Sequence, residues 1–188
     1  MKKLTALLMA VLLIGAMSAT AFAADIDFGS AAVTEDKTYT LSEMLTYAIE
    51  DEYLAHAEYE KIIDTFGAQT PFTNIIKAEE THIARLEPLF TEYGVTKPAD
   101  NAESYTALPA TLLDAMKAGV TAEINNIAMY EKFLSQDLPD DVQLVFTALK
   151  NASESHLAAF ERGVDRLTDG TGTSYSAGRQ TRGFVRSR

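Results

Sequence analysis

Glu52 and Glu79 are carboxylates set in the apolar faces of two predicted helices, and Glu79 opens a Glu-x-x-His with His82. Along the first of these helices Leu45, Ala48, Glu52, Ala55, Tyr59, Ile62 and Phe66 follow one another at helical spacing, so Glu52 stands where a leucine is expected. A lone carboxylate in an apolar interior is costly. Several that converge from different helices, with imidazoles beside them, are most simply neutralised by a bound cation.

Both helices recur. Residues 48–63 (AIEDEYLAHAEYEKII) align with 119–134 (GVTAEINNIAMYEKFL), matching Glu52 to Glu123, Tyr59 to Tyr130 and Lys61 to Lys132. Residues 72–87 (FTNIIKAEETHIARLE) align with 146–161 (FTALKNASESHLAAFE), matching His82 to His156. Five and seven of sixteen positions are identical, enough to imply one helical pair used twice. The repeat breaks at one position of interest: Ser153 stands where the second Glu-x-x-His requires its Glu.

The elements that must position these groups are four helices, expected at 41–66, 71–93, 110–135 and 140–167. Thr40-x-x-Glu43 forms a capping box and Gly67 a C-cap. Thr70-Pro71 opens the second helix, and Pro88 should kink or break it. Short joints make helices one and two, and three and four, antiparallel hairpins. A helix of about 24 residues is roughly 36 Å long. The fourteen residues Val95–Leu108 reach about 46–50 Å when extended, enough to cross the bundle. The expected fold is therefore an all-α four-helix bundle of two repeated hairpins joined by a crossover. Met116, Met129, Phe90, Phe146 and Phe160 are expected in its core.

At this point the chain resembles the ferritin-like superfamily of di-iron carboxylate proteins, rubrerythrins included. That plan places a Glu on each of two helices and a Glu-x-x-His on each of the other two. EDEYLAHAEY (Glu50–Tyr59) and AEETHI (Ala78–Ile83) are similar to a bacterial and archaeal branch of ferritin-like domains of unknown function, many of them exported. The resemblance spans about residues 40–165. It implies metal ligation by Glu52, Glu79, His82, Glu123 and His156, with iron or manganese as the metal and oxygen or peroxide chemistry as the associated activity. The departure at Ser153 leaves one ion, two weakly held ions, or solvent in the vacant position as alternatives. His56, one turn beyond Glu52, is a further candidate, whereas Glu154 is turned about 100° away round its helix. Tyr59 and Tyr130 are placed to bond carboxylates on neighbouring helices.

Composition sets the remaining bounds. Lys2, Lys3, the apolar run Leu4–Met17 and Ala21-Phe22-Ala23 read as a signal peptide over 1–23, followed by a leader over 24–39 that is expected to be extended and loosely held. The run is short for a membrane span, so the product is expected to be exported as a soluble protein, whether secreted, periplasmic or associated with the envelope. Without Lys2 and Lys3, 14 basic residues face 27 acidic ones, a surface that disfavours nucleic acid. The chain has no cysteine, which excludes thiolate chemistry and cysteine-ligated metal. Residues 168–188 read as a disordered basic tail. The expected partner is a metal ion. A homodimer is left open, and no electron donor is named by the sequence. The competing reading is a non-catalytic envelope or extracellular module with a degenerate site; storage in a hollow shell ranks last.

Overall fold

The structure, a computed structural model, describes residues 28–169. The expected signal segment, the start of the leader and the tail from residue 170 onward lie outside the described residues. Four long helices carry the described chain, and no strand occurs among the described residues: α1 (Leu41–Phe66), α2 (Phe72–Glu92), α3 (Leu112–Leu134) and α4 (Asp140–Thr168).

Local chemistry sets these bounds. The Glu43 amide donates to Thr40 Oγ1 at 3.2 Å, and Glu43 Oε2 accepts from the Thr40 amide at 2.8 Å, closing the expected capping box. Gly67 ends α1 at φ 79°, a conformation that a residue with a Cβ rarely adopts. Thr111 caps α3 by accepting from the Asp114 amide at 3.1 Å, so α3 starts slightly later than its expected onset near Pro109. Asp140 and Asp141 occupy the first turn of α4, where negative charge complements the helix dipole.

Two expectations need correction. Helix α2 runs on through Pro88 without a break. Pro88 lies only about one turn from the helix end, and its missing N–H forfeits a single bond to the Ala84 carbonyl. The leader is also more firmly held than its composition suggests. Phe28 is buried and stacks on Tyr105 at 4.3 Å, and Gly29–Ala32 forms a 3₁₀ turn packed against α1 and α3. The Ser30 amide donates to Asp51 Oδ1 at 2.7 Å, and the Tyr39 amide donates to Gln136 Oε1 at 2.8 Å.

Gly29 makes this docking possible. Its φ is +58°, and a Cβ there would lie 2.7 Å from Asp51 Oδ1 and 3.0 Å from the Asp51 Cα. The Asp51 backbone cannot yield inside α1. Gly29→Ala is therefore expected to destabilise the fold by about 1–3 kcal/mol, read as a lower melting temperature; an unchanged melt would show that the turn is dispensable.

Helix α1 packs on α2 and α3 on α4, while α1 also packs on α3 and α2 on α4. Helices α2 and α3 do not pack against one another although they are consecutive. Gly119 lets α4 approach α3 closely, since a Cβ there would meet the Phe160 ring at 2.7 Å. Two apolar clusters fill the interior. One contains Leu45, Ile49, Leu86, Met129, Phe133, Phe146 and Leu149. The other contains Tyr59, Ile62, Phe72, Ile75, Met116 and Phe160. Each such side chain contributes about 1.5–3 kcal/mol when fully buried. Between the clusters, at mid-length of the four helices, lies a layer of buried polar groups.

Candidate metal centre

Each long helix sends at least one polar side chain into that layer. Glu52 from α1, Glu79 and His82 from α2, Glu123 from α3, and His156 from α4 are all buried, with Glu52 only 1% exposed. Because the apolar stripe of each helix is continued on both sides of these positions, burial of the stripe carries the carboxylates inward with it.

The five groups form two sets that share Glu79. Glu52, Glu79 and His82 can each bring one ligand atom within 4.8 Å of the others, and so can Glu79, Glu123 and His156. His82 Nδ1 lies 2.8 Å from Glu79 Oε2 and 2.9 Å from Glu52 Oε2. His156 Nδ1 lies 3.4 Å from Glu79 Oε1 and 3.4 Å from Glu123 Oε1. Glu79 thus turns one oxygen to each imidazole. The two rings stack with centroids 5.7 Å apart.

The second set is the looser one. His156 Nδ1 is fully buried yet makes no hydrogen bond, because both carboxylate oxygens stand too far off for a good one. A buried nitrogen left unbonded costs about 1–3 kcal/mol. Its surroundings, two carboxylates within 3.4 Å, suit a cation placed among them better than they suit a hydrogen bond.

Two tyrosines fix the carboxylates reciprocally. Tyr130 donates to Glu52 Oε1 at 2.7 Å, and Tyr59 donates to Glu123 Oε1 at 3.1 Å. Each bond runs between α1 and α3 and each is the repeat image of the other. The pairing of early with late residues makes α1 and α3 antiparallel.

Electrostatics follow from this enclosure. Burial works against charge on both imidazoles, but carboxylates outweigh it: Glu52 and Glu79 hold His82 up at about 10, and Glu123 and Glu79 hold His156 up at about 9. Burial raises Glu52 and Glu123, whereas for Glu79 the two adjacent imidazoles, His156 and His82, overcome burial and lower it. Without a metal, two imidazolium ions supply the positive charge that the carboxylates require.

Ser153 takes the place of the missing carboxylate in a separate polar chain. Its hydroxyl donates to Asn126 Oδ1 at 2.9 Å, and Asn126 Nδ2 donates to Asp51 Oδ2 at 2.5 Å. Asp51 is buried and raised by that burial, with the Ser30 N–H opposing the shift. Sequence reasoning missed Asp51 and Asn126. His56 is not brought to the centre; it faces Glu80 at 3.7 Å on a partly exposed surface. Glu154 is exposed and pairs with Lys150 at 2.9 Å.

These observations define an all-helical protein with a buried carboxylate and imidazole cluster shared by two repeated hairpins. The chain belongs to the family described as "Uncharacterized protein domain (DUF2202)", whose model matches residues 42–184. It is 28% identical over 145 residues to the uncharacterized protein MJ0754 of Methanocaldococcus jannaschii, covering 69% of this chain and 76% of that protein. The crystal structure of hypothetical protein MJ0754 superposes with a TM-score of 0.61 at 24% identity, covering 72% of this chain and 87% of that one. That likeness shows a shared fold. No helix among the described residues is long and apolar enough to cross a membrane.

Proposed function

We propose that this protein is a ferritin-like metal-binding protein, its two hairpins joined by a crossover, which holds one or two first-row divalent ions between Glu52, Glu79, His82, Glu123 and His156. The observation that carries the reading is Glu79, a buried carboxylate with one oxygen in each of two ligand sets. Oxygen and imidazole donors without thiolate suit iron or manganese. A bound ion of that kind would supply Lewis acidity and redox chemistry, which fits an oxidoreductase acting on oxygen or peroxide. The chain's own residues do the holding and orienting: Tyr59 and Tyr130 fix the outer carboxylates, and the apolar clusters exclude bulk water. We also propose export, supported by Lys2-Lys3, the apolar run after them and Ala21-x-Ala23. Mass spectrometry of the exported form should find Ala24 at its start, and an intact Met1 would refute cleavage.

The test is metal analysis of protein purified without a histidine tag or chelator, followed by titration with ferrous or manganous ion and thermal melts. Binding to the folded state alone stabilises it by about 2.7 kcal/mol when free metal is a hundred times Kd. The pH dependence has a defined sign. Ligating imidazoles must be neutral, yet His82 and His156 stay protonated up to about 10 and about 9. Metal therefore displaces protons, and affinity should rise with pH between 6 and 8 by up to about tenfold per unit for each histidine engaged. For the metal-free protein the folded values lie above the unfolded value of about 6.5. The stability these histidines contribute is full below that value and is lost as pH rises through 9 and 10.

One observation favours a second reading: His82 is already satisfied by Glu52 and Glu79 without any ion. A chain that takes up neither ion, and melts identically with and without them, is a non-catalytic module with a polar core.

A further inference from the structure

The two halves of the chain agree where they supply Glu52 and Glu123, His82 and His156, and Tyr59 and Tyr130. They disagree around one small cavity, of about 10 Å³, bordered by Asp51, Glu79, Glu123, Asn126 and Ser153. That volume accommodates one water-sized molecule. Three pairs of its lining positions are repeat images: Asp51 with Ala122, Ala55 with Asn126, and Glu79 with Ser153. All three pairs are unlike, and in each a larger polar side chain is matched with a smaller one. Divergence in the buried layer is concentrated at this cavity.

Its chemistry is specific. Asp51 Oδ1 accepts from the Ser30 amide at 2.7 Å and Oδ2 accepts from Asn126 at 2.5 Å. The second bond orients the amide, so Asn126 Oδ1 faces the Ser153 hydroxyl at 2.9 Å. Asn126 Nδ2 keeps a second hydrogen to donate, and Ser153 Oγ keeps lone pairs to accept. The cavity borders Glu79 and Glu123 and does not reach Glu52, so it belongs to the looser set around His156.

We infer that this cavity is a binding subsite for one water-sized oxygen ligand, such as water, hydroxide or one end of hydrogen peroxide, held by the free Asn126 Nδ2 hydrogen in the space that the small Ser153 side chain leaves beside Glu79 and Glu123. The inference rests on the metal reading, because an ion held by Glu79, Glu123 and His156 is the ligand's remaining partner. It gives the vacancy at Ser153 a use: a fourth carboxylate would fill the space that the small ligand needs.

Fluoride, an anion of water's size, serves as the probe on protein loaded with ferric iron, with binding followed by absorption and electron paramagnetic resonance. Ser153→Ala and Ser153→Val both remove the hydrogen bond to Asn126 but differ in how they fill the cavity. Ala122→Val fills it from α3 and leaves the polar chain intact. Wild type should bind fluoride saturably, Ser153→Ala within about threefold of it, and each Val variant at least about tenfold more weakly at unchanged iron content. Val variants that match wild type, or an Ala variant that loses as much as Ser153→Val, overturn the subsite. So does iron-loaded wild type that takes no fluoride, and that result leaves the metal reading standing. Wild type that takes no iron overturns both.

Discussion

If the proposed centre holds metal, Glu79→Gln is expected to remove it from both ligand sets at once, and Glu52→Gln and Glu123→Gln from one each. Glu79 is the one residue common to the two sets, with Oε2 at 2.8 Å from His82 Nδ1 and Oε1 at 3.4 Å from His156 Nδ1. Gln preserves the shape but removes the charge and turns one oxygen into a donor. Deleting one member of a buried charged cluster costs on the order of 3–5 kcal/mol. That cost falls on the fold, while a bound ion would lose a negative ligand common to both sets. Titration with manganous ion, followed by electron paramagnetic resonance, should therefore show near-complete loss in Glu79→Gln and a reduced stoichiometry in the other two variants. Equal losses in all three would mean that a single ion sits among all the carboxylates and that Glu79 does not bridge.

The layout of the polar layer was legible because it breaks a pattern. Glu52 and Glu123 interrupt apolar stripes, and the repeat ties His82 to His156, so residue type and spacing together pointed to one interior layer. Tyr59 and Tyr130 were legible for the same reason. Asp51 was not, because it lies beside a stripe, where a polar residue ordinarily faces solvent; Asn126 stands in the α3 stripe itself, at the place matching Ala55, and was overlooked because the repeat has no polar residue there. What buries Asp51 is the leader turn at Gly29–Ala32, a contact between segments far apart in sequence. The docked turn within the leader escaped notice because a 3₁₀ turn has no periodicity long enough to read. Of the kink or break expected at Pro88 the break does not occur, since the cost of the missing N–H depends on distance from the helix end.

Ser153→Glu is expected to act in opposite directions with and without metal. It restores the second Glu-x-x-His and adds a fourth negative charge. In the metal-free protein that charge has no partner, because His82 already serves Glu52 and Glu79, and His156 faces Glu79 and Glu123. The adjoining cavity holds about one water, so the longer side chain must also push its neighbours aside. Loss of about 3–5 kcal/mol is expected. With metal, the new carboxylate would be available as a further ligand, and binding of a second ion should tighten by at least about tenfold. Melts with and without ferrous ion would separate the two effects. A variant that melts lower in both conditions and takes up no additional metal would sink the view that this is a two-ion centre lacking one carboxylate.

The reciprocal bonds of Tyr59 to Glu123 and Tyr130 to Glu52 bear on how such a centre can arise. Each hairpin supplies the tyrosine that orients the other hairpin's carboxylate, so a single hairpin paired with its own copy could make every one of these contacts. In that homodimeric arrangement, however, any substitution occurs twice. Exchanging Glu for Ser would delete both central carboxylates and leave the imidazoles without a common partner. Only after duplication and fusion into one chain can one copy retain Glu79 while the other becomes Ser153. The tandem arrangement is therefore what permits the polar layer to be lopsided, with one copy keeping its central carboxylate and the other only a small hydroxyl.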